Sequence, residues 1–326
     1  MEVRVGDLDR VTDLVGVSRP ADLSDRHGLS DWSRAILGMR PPSGAEASEA
    51  PQPPAAVPMP RAAVPDVGED DWAAGDGRRG WNLLDVGWFA EVAPLERSPQ
   101  LTAVLGGTFT AERLTSSLGE PDAGVWSRDP ASIGERGRLS PGMWSHAGLA
   151  GGNLVVSDDP EPVRAAIDPR GPTLATNDAL TDVAGALDTH GAHSAVLRYQ
   201  PGGFPFPQRP GTDPAVVERA REAGMLMPER FTGVGVGLAD DGGPSALLVY
   251  VHEDDQAAAR NAEYVRETLE AGDRYDGRPW ADVFAVDDVT ATGRVVTARL
   301  RFADGVRTAL VYDLLDEADP TLFTHR

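Results

Sequence analysis

The chain has 326 residues, 41% of them hydrophobic, with 51 acidic side chains against 30 basic ones and no cysteine. That composition excludes thiol catalysis, disulfides and sulfur-ligated metal centres. All 30 basic residues are arginine, which also removes a lysine Schiff base, a pyridoxal-phosphate attachment and a P-loop lysine. The formal net charge is −21 and no segment is basic, so phosphate backbones are repelled and nucleic acid is not expected as a partner.

In chain order, Val3-Arg4-Val5 reads as a strand and Leu8 to Val15 as a helix, making a short N-terminal segment over residues 1–40. Residues 41–65 then hold eight of the 27 prolines, spaced by Ala, Ser, Glu and Gln. Such a stretch buries too little apolar surface to order itself, so 41–78 is expected to be a linker. Beyond it a unit of strand, capping residue and amphipathic helix recurs. Leu101 to Phe109 alternates as a strand, and Thr110 caps a helix over Ala111 to Leu118. Asn153 to Ser157 is a second strand, followed by Asp159 as cap and Pro160 at the first helical position. Ala246 to Val251 is a third, with Asp254 or Asp255 opening a helix to Glu270 that Gly272 stops.

Two more helices are predicted. One starts at Asp213-Pro214 and ends at Gly224, and the other places Leu180, Val183, Ala184 and Leu187 on one face. His193 to Tyr199 and Arg294 to Phe302 read as strands, while Phe231 to Ala239 and Ser245 to Val251 pair as a hairpin across Asp240 to Gly243. Hairpins with helices among them predict an α+β fold of largely antiparallel sheets, each with helices on one face. The expected organisation is two related ferredoxin-like lobes, 79–200 and 201–326. No apolar run approaches the roughly 20 residues of a membrane helix, so no transmembrane segment is expected.

The candidate chemistry is sparse. His190-Gly191-Ala192-His193 comes closest to a metal-ligand spacing, making His190 and His193 the candidate metal ligands, although no third ligand stands at a fixed spacing. His190 also suits a helix C-terminus, with Gly191 just beyond it. Five Asp-Asp pairs, at 70, 158, 240, 254 and 287, read as caps and turns rather than calcium loops. Gly233, Gly235 and Gly237 alternate within a strand, which fits close packing or a covering ring better than a phosphate cradle. Neither G-x-S-x-G nor H-E-x-x-H occurs, and any triad would have to assemble in space rather than in sequence. No cofactor is expected. Trp72, Trp81, Trp88, Trp126 and Trp144 fall in Gly- and Asp-rich or irregular stretches, so they are the candidate ligand-binding residues, lining a groove between the lobes. Stapling of loops onto a sheet is the competing role.

The stretch Trp81-Asn82-Leu83-Leu84-Asp85-Val86-Gly87-Trp88, the strand from Leu101 to Phe109 with its helix, and Gly152 to Asp158 together resemble a group of actinobacterial secreted proteins and lipoproteins of unknown function. The segment from Ala246 through Asn261-Ala262-Glu263 to Pro279-Trp280 fits the same likeness, which spans most of the chain outside the linker. These are packing patterns and bring no functional residues. The resemblance implies an extracytoplasmic location, with a lipid anchor through a region absent from this chain, which has neither a signal peptide nor a lipobox cysteine. The expected function is a non-catalytic cell-envelope protein that binds a protein partner or small ligand. The alternative is a hydrolase or metal-dependent enzyme using carboxylates with His190 and His193.

Overall fold

The structure, a computed structural model, describes residues 1–39, 55–58, 80–95, 101–128, 144–171, 173–204, 222, 224, 226–274 and 276–325. The helix predicted from Asp213 to Gly224 lies almost entirely outside them. The chain forms two compact units, Met1–Ser48 with Val57–Pro172 and Glu49–Ala56 with Thr173–Arg326.

The first unit carries β1 (Glu2–Asp7), α1 (Leu8–Val15), α2 (Arg26–Ile36), β2 (Val86–Ala93), β3 (Thr102–Gly107), α3 (Ala111–Leu118), β4 (Val125–Ser127), β5 (His146–Ala150), β6 (Asn153–Ser157) and α4 (Pro160–Ile167). Its strands lie in the order β1-β2-β3-β6-β5-β4, every neighbouring pair antiparallel. Local chemistry sets the helix starts. The Asp7, Thr110 and Asp159 side chains each accept a hydrogen bond from a first-turn amide, and Pro160 opens α4.

Both faces of this sheet carry helices. On one, Val163 of α4 joins Val125 and Val155 in an apolar cluster, and a Cβ on Gly148 would come within 2.6 Å of Val163. On the other, a Cβ on Gly87 would meet Asp9 of α1 at 2.6 Å, and Trp126 Nε1 donates to Thr115 Oγ1 of α3 at 3.1 Å.

The second unit carries α5 (Asp178–Thr189), β7 (Ala192–Tyr199), β8 (Phe231–Asp240), β9 (Pro244–His252), α6 (Asp255–Ala271), β10 (Phe284–Thr292), β11 (Val295–Phe302), α7 (Leu310–Asp316) and α8 (Pro320–Phe323). Its order is β10-β11-β9-β8-β7, again antiparallel throughout. Val234, Val236 and Leu238 of β8 form a core with Ala262, Val265 and Leu269 of α6 and Leu314 of α7. The alternate residues of β8 are Gly233, Gly235 and Gly237, and α5 lies on them: added Cβ atoms would meet Ala179, Val183 and Leu187 at 3.2–3.3, 2.4 and 2.9 Å. The three glycines therefore serve close packing, against a helix rather than a ring. With both faces covered, Ser245 to His252 is buried at every position, the signature of a doubly covered strand.

The α+β expectation with antiparallel sheets holds, and finer expectations are corrected where the structure differs. Helices cover both faces, because β8 and β9 are apolar or glycine on both. Two ferredoxin-like lobes are not established: β11 does stand between β9 and β10, which α6 joins, but among the described residues no strand follows α7 to complete that fold, and in the first unit two strands, β5 and β6, stand between β3 and β4. Nor does the division fall at residue 200, since α5 and β7 pack with β8. Residues 1–39 belong to the first unit through the β1–β2 ladder.

The predicted linker also contains an ordered piece. Ala55, Ala56 and Val57 are buried. Val57 N donates to Ile36 O at 2.8 Å in the first unit, and Ser194 Oγ donates to Ala56 O at 2.7 Å in the second. Small side chains between prolines fit narrow spaces, and the backbone finds partners there.

Candidate functional site

Four of the five candidate tryptophans are described, and Trp72 lies outside the described residues. Trp81 and Trp144 are buried and stacked, centroids 5.9 Å apart at 26°, with Phe109 edge-on to Trp81 at 6.3 Å. The Arg128 guanidinium lies 5.2 Å from the Trp144 ring centroid. Trp126 is buried and hydrogen-bonded to α3. Trp81 and Trp144 pack together the segments that lead into β2 and β5, Trp126 ties β4 to α3, and all three are buried.

Trp88 is different: it is 41% exposed. Register places it opposite Gly106 of β3 and Asp7 of β1. A Cβ on Gly106 would fall 1.9 Å from Trp88 Nε1 and 2.1 Å from Cε2, so the indole lies over the glycine backbone. One ring face is sealed by the sheet and the other is left outward. Around it, on the same side of β1, β2 and β3, Val3, Val5, Ala90, Val92 and Val104 are partly exposed, while alternate residues such as Phe89 and Leu105 are buried.

The structure places His190 and His193 in different surroundings. His190 is an exposed C-cap of α5, with Gly191 beyond it at φ 69°, and His193 is buried within β7. Among the described residues no group of three His, Asp or Glu side chains is placed to hold a metal ion. Three of the described aspartate pairs do local work: Asp159 and Asp254 cap helices, and Asp240 accepts from Gly243 N at 2.9 Å in the hairpin turn, while Asp70-Asp71 lies outside the described residues.

A second constellation went unseen in the sequence. A row of polar side chains crosses the sheet of the first unit on the face that α4 covers: Ser127 of β4, His146 of β5, Ser157 of β6 and Thr102 of β3, aligned by register. Ser127 Oγ stands 3.0 Å from His146 Nδ1, and Ser157 Oγ 3.0 Å from Thr102 Oγ1. Asp159 N donates to Ser157 Oγ at 3.3 Å. Burial, with the Arg164 charge, holds the imidazole of His146 below its ordinary value against the opposing pull of Asp159. It is therefore neutral near pH 7 and presents a lone pair. Ser127 itself is exposed on β4, the outermost described strand of its unit.

Ser127 and His146 are 19 positions apart and in no motif. Only the β4–β5 register joins them, and a three-residue strand and a Gly- and His-containing strand give little periodic signal. No family model matches the chain, and no curated protein or solved structure matches it either.

Proposed function

We propose that the protein is an extracytoplasmic binding protein that holds a neutral sugar ring against Trp88. The observation that carries the reading is the indole laid flat on Gly106 with its outer face open. An aromatic face in a partly exposed apolar strip is the chemistry on which the C–H face of a sugar stacks. Asp7 stands opposite in register, with Oδ1 accepting from Arg10 N in the α1 cap and the second carboxylate oxygen as the acceptor for a hydroxyl group. The net charge of −21 disfavours an anionic ligand and leaves a neutral one unopposed. The extracytoplasmic placement rests on the resemblance to actinobacterial secreted proteins and lipoproteins. No helix among the described residues is long and apolar enough to cross a membrane, which is compatible with that placement.

Affinity electrophoresis through gels containing neutral polysaccharides tests the reading. The wild-type protein is expected to be retarded and Trp88→Ala to run as in a plain gel. Equal mobility of the two in every gel contradicts it.

A further inference from the structure

The row on β4 and β5 has no part in ligand stacking and points to chemistry. Arg128 N donates to Ser145 O at 2.9 Å, so the neighbouring pair Ser127–His146 is of the non-hydrogen-bonded kind. Side chains approach most closely at such pairs, which accounts for the 3.0 Å contact between hydroxyl and imidazole. The same alternation turns the Ser127 N–H away from β5, toward the outer edge of the strand. Val125, two residues earlier, points its own N–H that way and donates to Asp122 O at 2.9 Å. An exposed hydroxyl, an imidazole whose Nδ1 accepts in the Nε2–H tautomer, and an outward amide of the same serine are thus gathered at one position. Asp159 supplies negative charge near the imidazole, and Arg164 positive charge.

We propose that Ser127 is a nucleophile, activated by His146, that accepts the acyl group of small carboxylic esters and releases it to water. In the first step the Ser127 Oγ–C bond forms as the Oγ proton passes to His146 Nδ1, and the carbonyl electron pair moves onto oxygen, where the Ser127 N–H can donate. Collapse breaks the ester C–O bond, and the leaving alkoxide takes the proton from Nδ1. Water then repeats the sequence on the acyl-serine, giving the carboxylic acid and the free hydroxyl. Asp159 favours the imidazolium that forms between the two transfers and acts as a positioning residue through His146. This activity is additional to the Trp88 reading and does not depend on it.

The test is labelling of the full chain with a fluorophosphonate, in which the serine oxygen displaces fluoride from phosphorus, read by intact mass and peptide mapping. The expected result is one label per chain, on Ser127, and none there in Ser127→Ala. His146→Gln should slow labelling by roughly 100-fold or more. For the wild type, the rate should rise with pH through an imidazole titration below pH 6.5 and be flat above pH 7. Asp159→Asn, which keeps the helix cap, should move that inflection lower. Hydrolysis of p-nitrophenyl acetate should follow the same order. Absence of a label on Ser127, or a wild-type rate without an imidazole inflection, overturns the proposal even if the His146 variant fails to fold.

Discussion

Asp158, at the end of β6, has its carboxyl pushed up to about 6 by burial, against the lowering effect of a hydrogen bond from the Leu101 backbone. Its ordinary value is 3.8. The folded protein thus binds a proton more tightly than the unfolded chain, and the stability this contributes is present below about pH 4 and lost as pH rises through 6. Asp158→Asn, which mimics the protonated acid, is expected to raise the urea midpoint at pH 7 and leave it unchanged at pH 3.5. His252 acts in the opposite sense. Its Nδ1 lies 3.0 Å from the Arg230 carbonyl, which can only accept, so Nδ1 carries the proton. Burial holds the ring's pKa below 6.5, with Glu229 and Asp254 opposing. The unfolded chain then binds more protons as pH falls below about 6.5, and stability drops. Urea titrations from pH 7 to 5 should show a shallower loss in His252→Asn than in the wild type. At this scale the sequence was legible where chemistry is local, as at the caps Thr110, Asp159 and Asp254. It was silent on Ser127 with His146, whose meeting is a matter of register.

Two glycines show how the same substitution differs between elements. At Gly235 a Cβ would come 2.4 Å from Val183 Cγ1, inside the contact between β8 and α5. Gly235→Ala is expected to cost about 1–3 kcal/mol by overpacking, measured by urea unfolding. At Gly106 the obstacle is the exposed Trp88 indole, which can swing outward. Gly106→Ala should cost less than about 1 kcal/mol yet expel the indole from its seat, raising its acrylamide quenching and abolishing retardation in polysaccharide gels. The period-two glycines and the helical spacing of Leu180, Val183 and Leu187 were both readable in the sequence; their contact required the fold. Ala184 was expected on the buried face and is exposed, while Ala179 is buried instead. Strands β2 and β10 escaped reading for different reasons. In β2 burial alternates from Trp88 onward, but the outward residues Trp88, Ala90 and Val92 are apolar and the inward Glu91 is charged, and in β10 a register shift between Val286 and Asp288 accompanies exposed aspartates.

For the whole molecule, repeated units of strand and helix were visible in the sequence, and both units run their strands alike. In each, a helix follows the third of three successive antiparallel neighbours, and the last strand of the next antiparallel set returns beside that third strand. What the sequence did not disclose was pairing between strands distant in the chain, such as β3 with β6, because periodicity names a strand's face and not its neighbour. Charge, by contrast, needs no fold to act. A net charge of −21 predicts no retention on heparin or duplex DNA at physiological salt. It also predicts a higher urea midpoint as salt screens self-repulsion. A salt-reversible DNA complex would contradict that account.

The most direct test of the central claim follows the seven indole N–H signals by two-dimensional NMR during titration with a neutral oligosaccharide that retards the protein in gels. The account predicts a saturable shift of the signal that disappears in Trp88→Ala, with those of Trp81, Trp126 and Trp144 unmoved. A shift confined to one of the buried indoles, or a response that survives in Trp88→Ala, would contradict it.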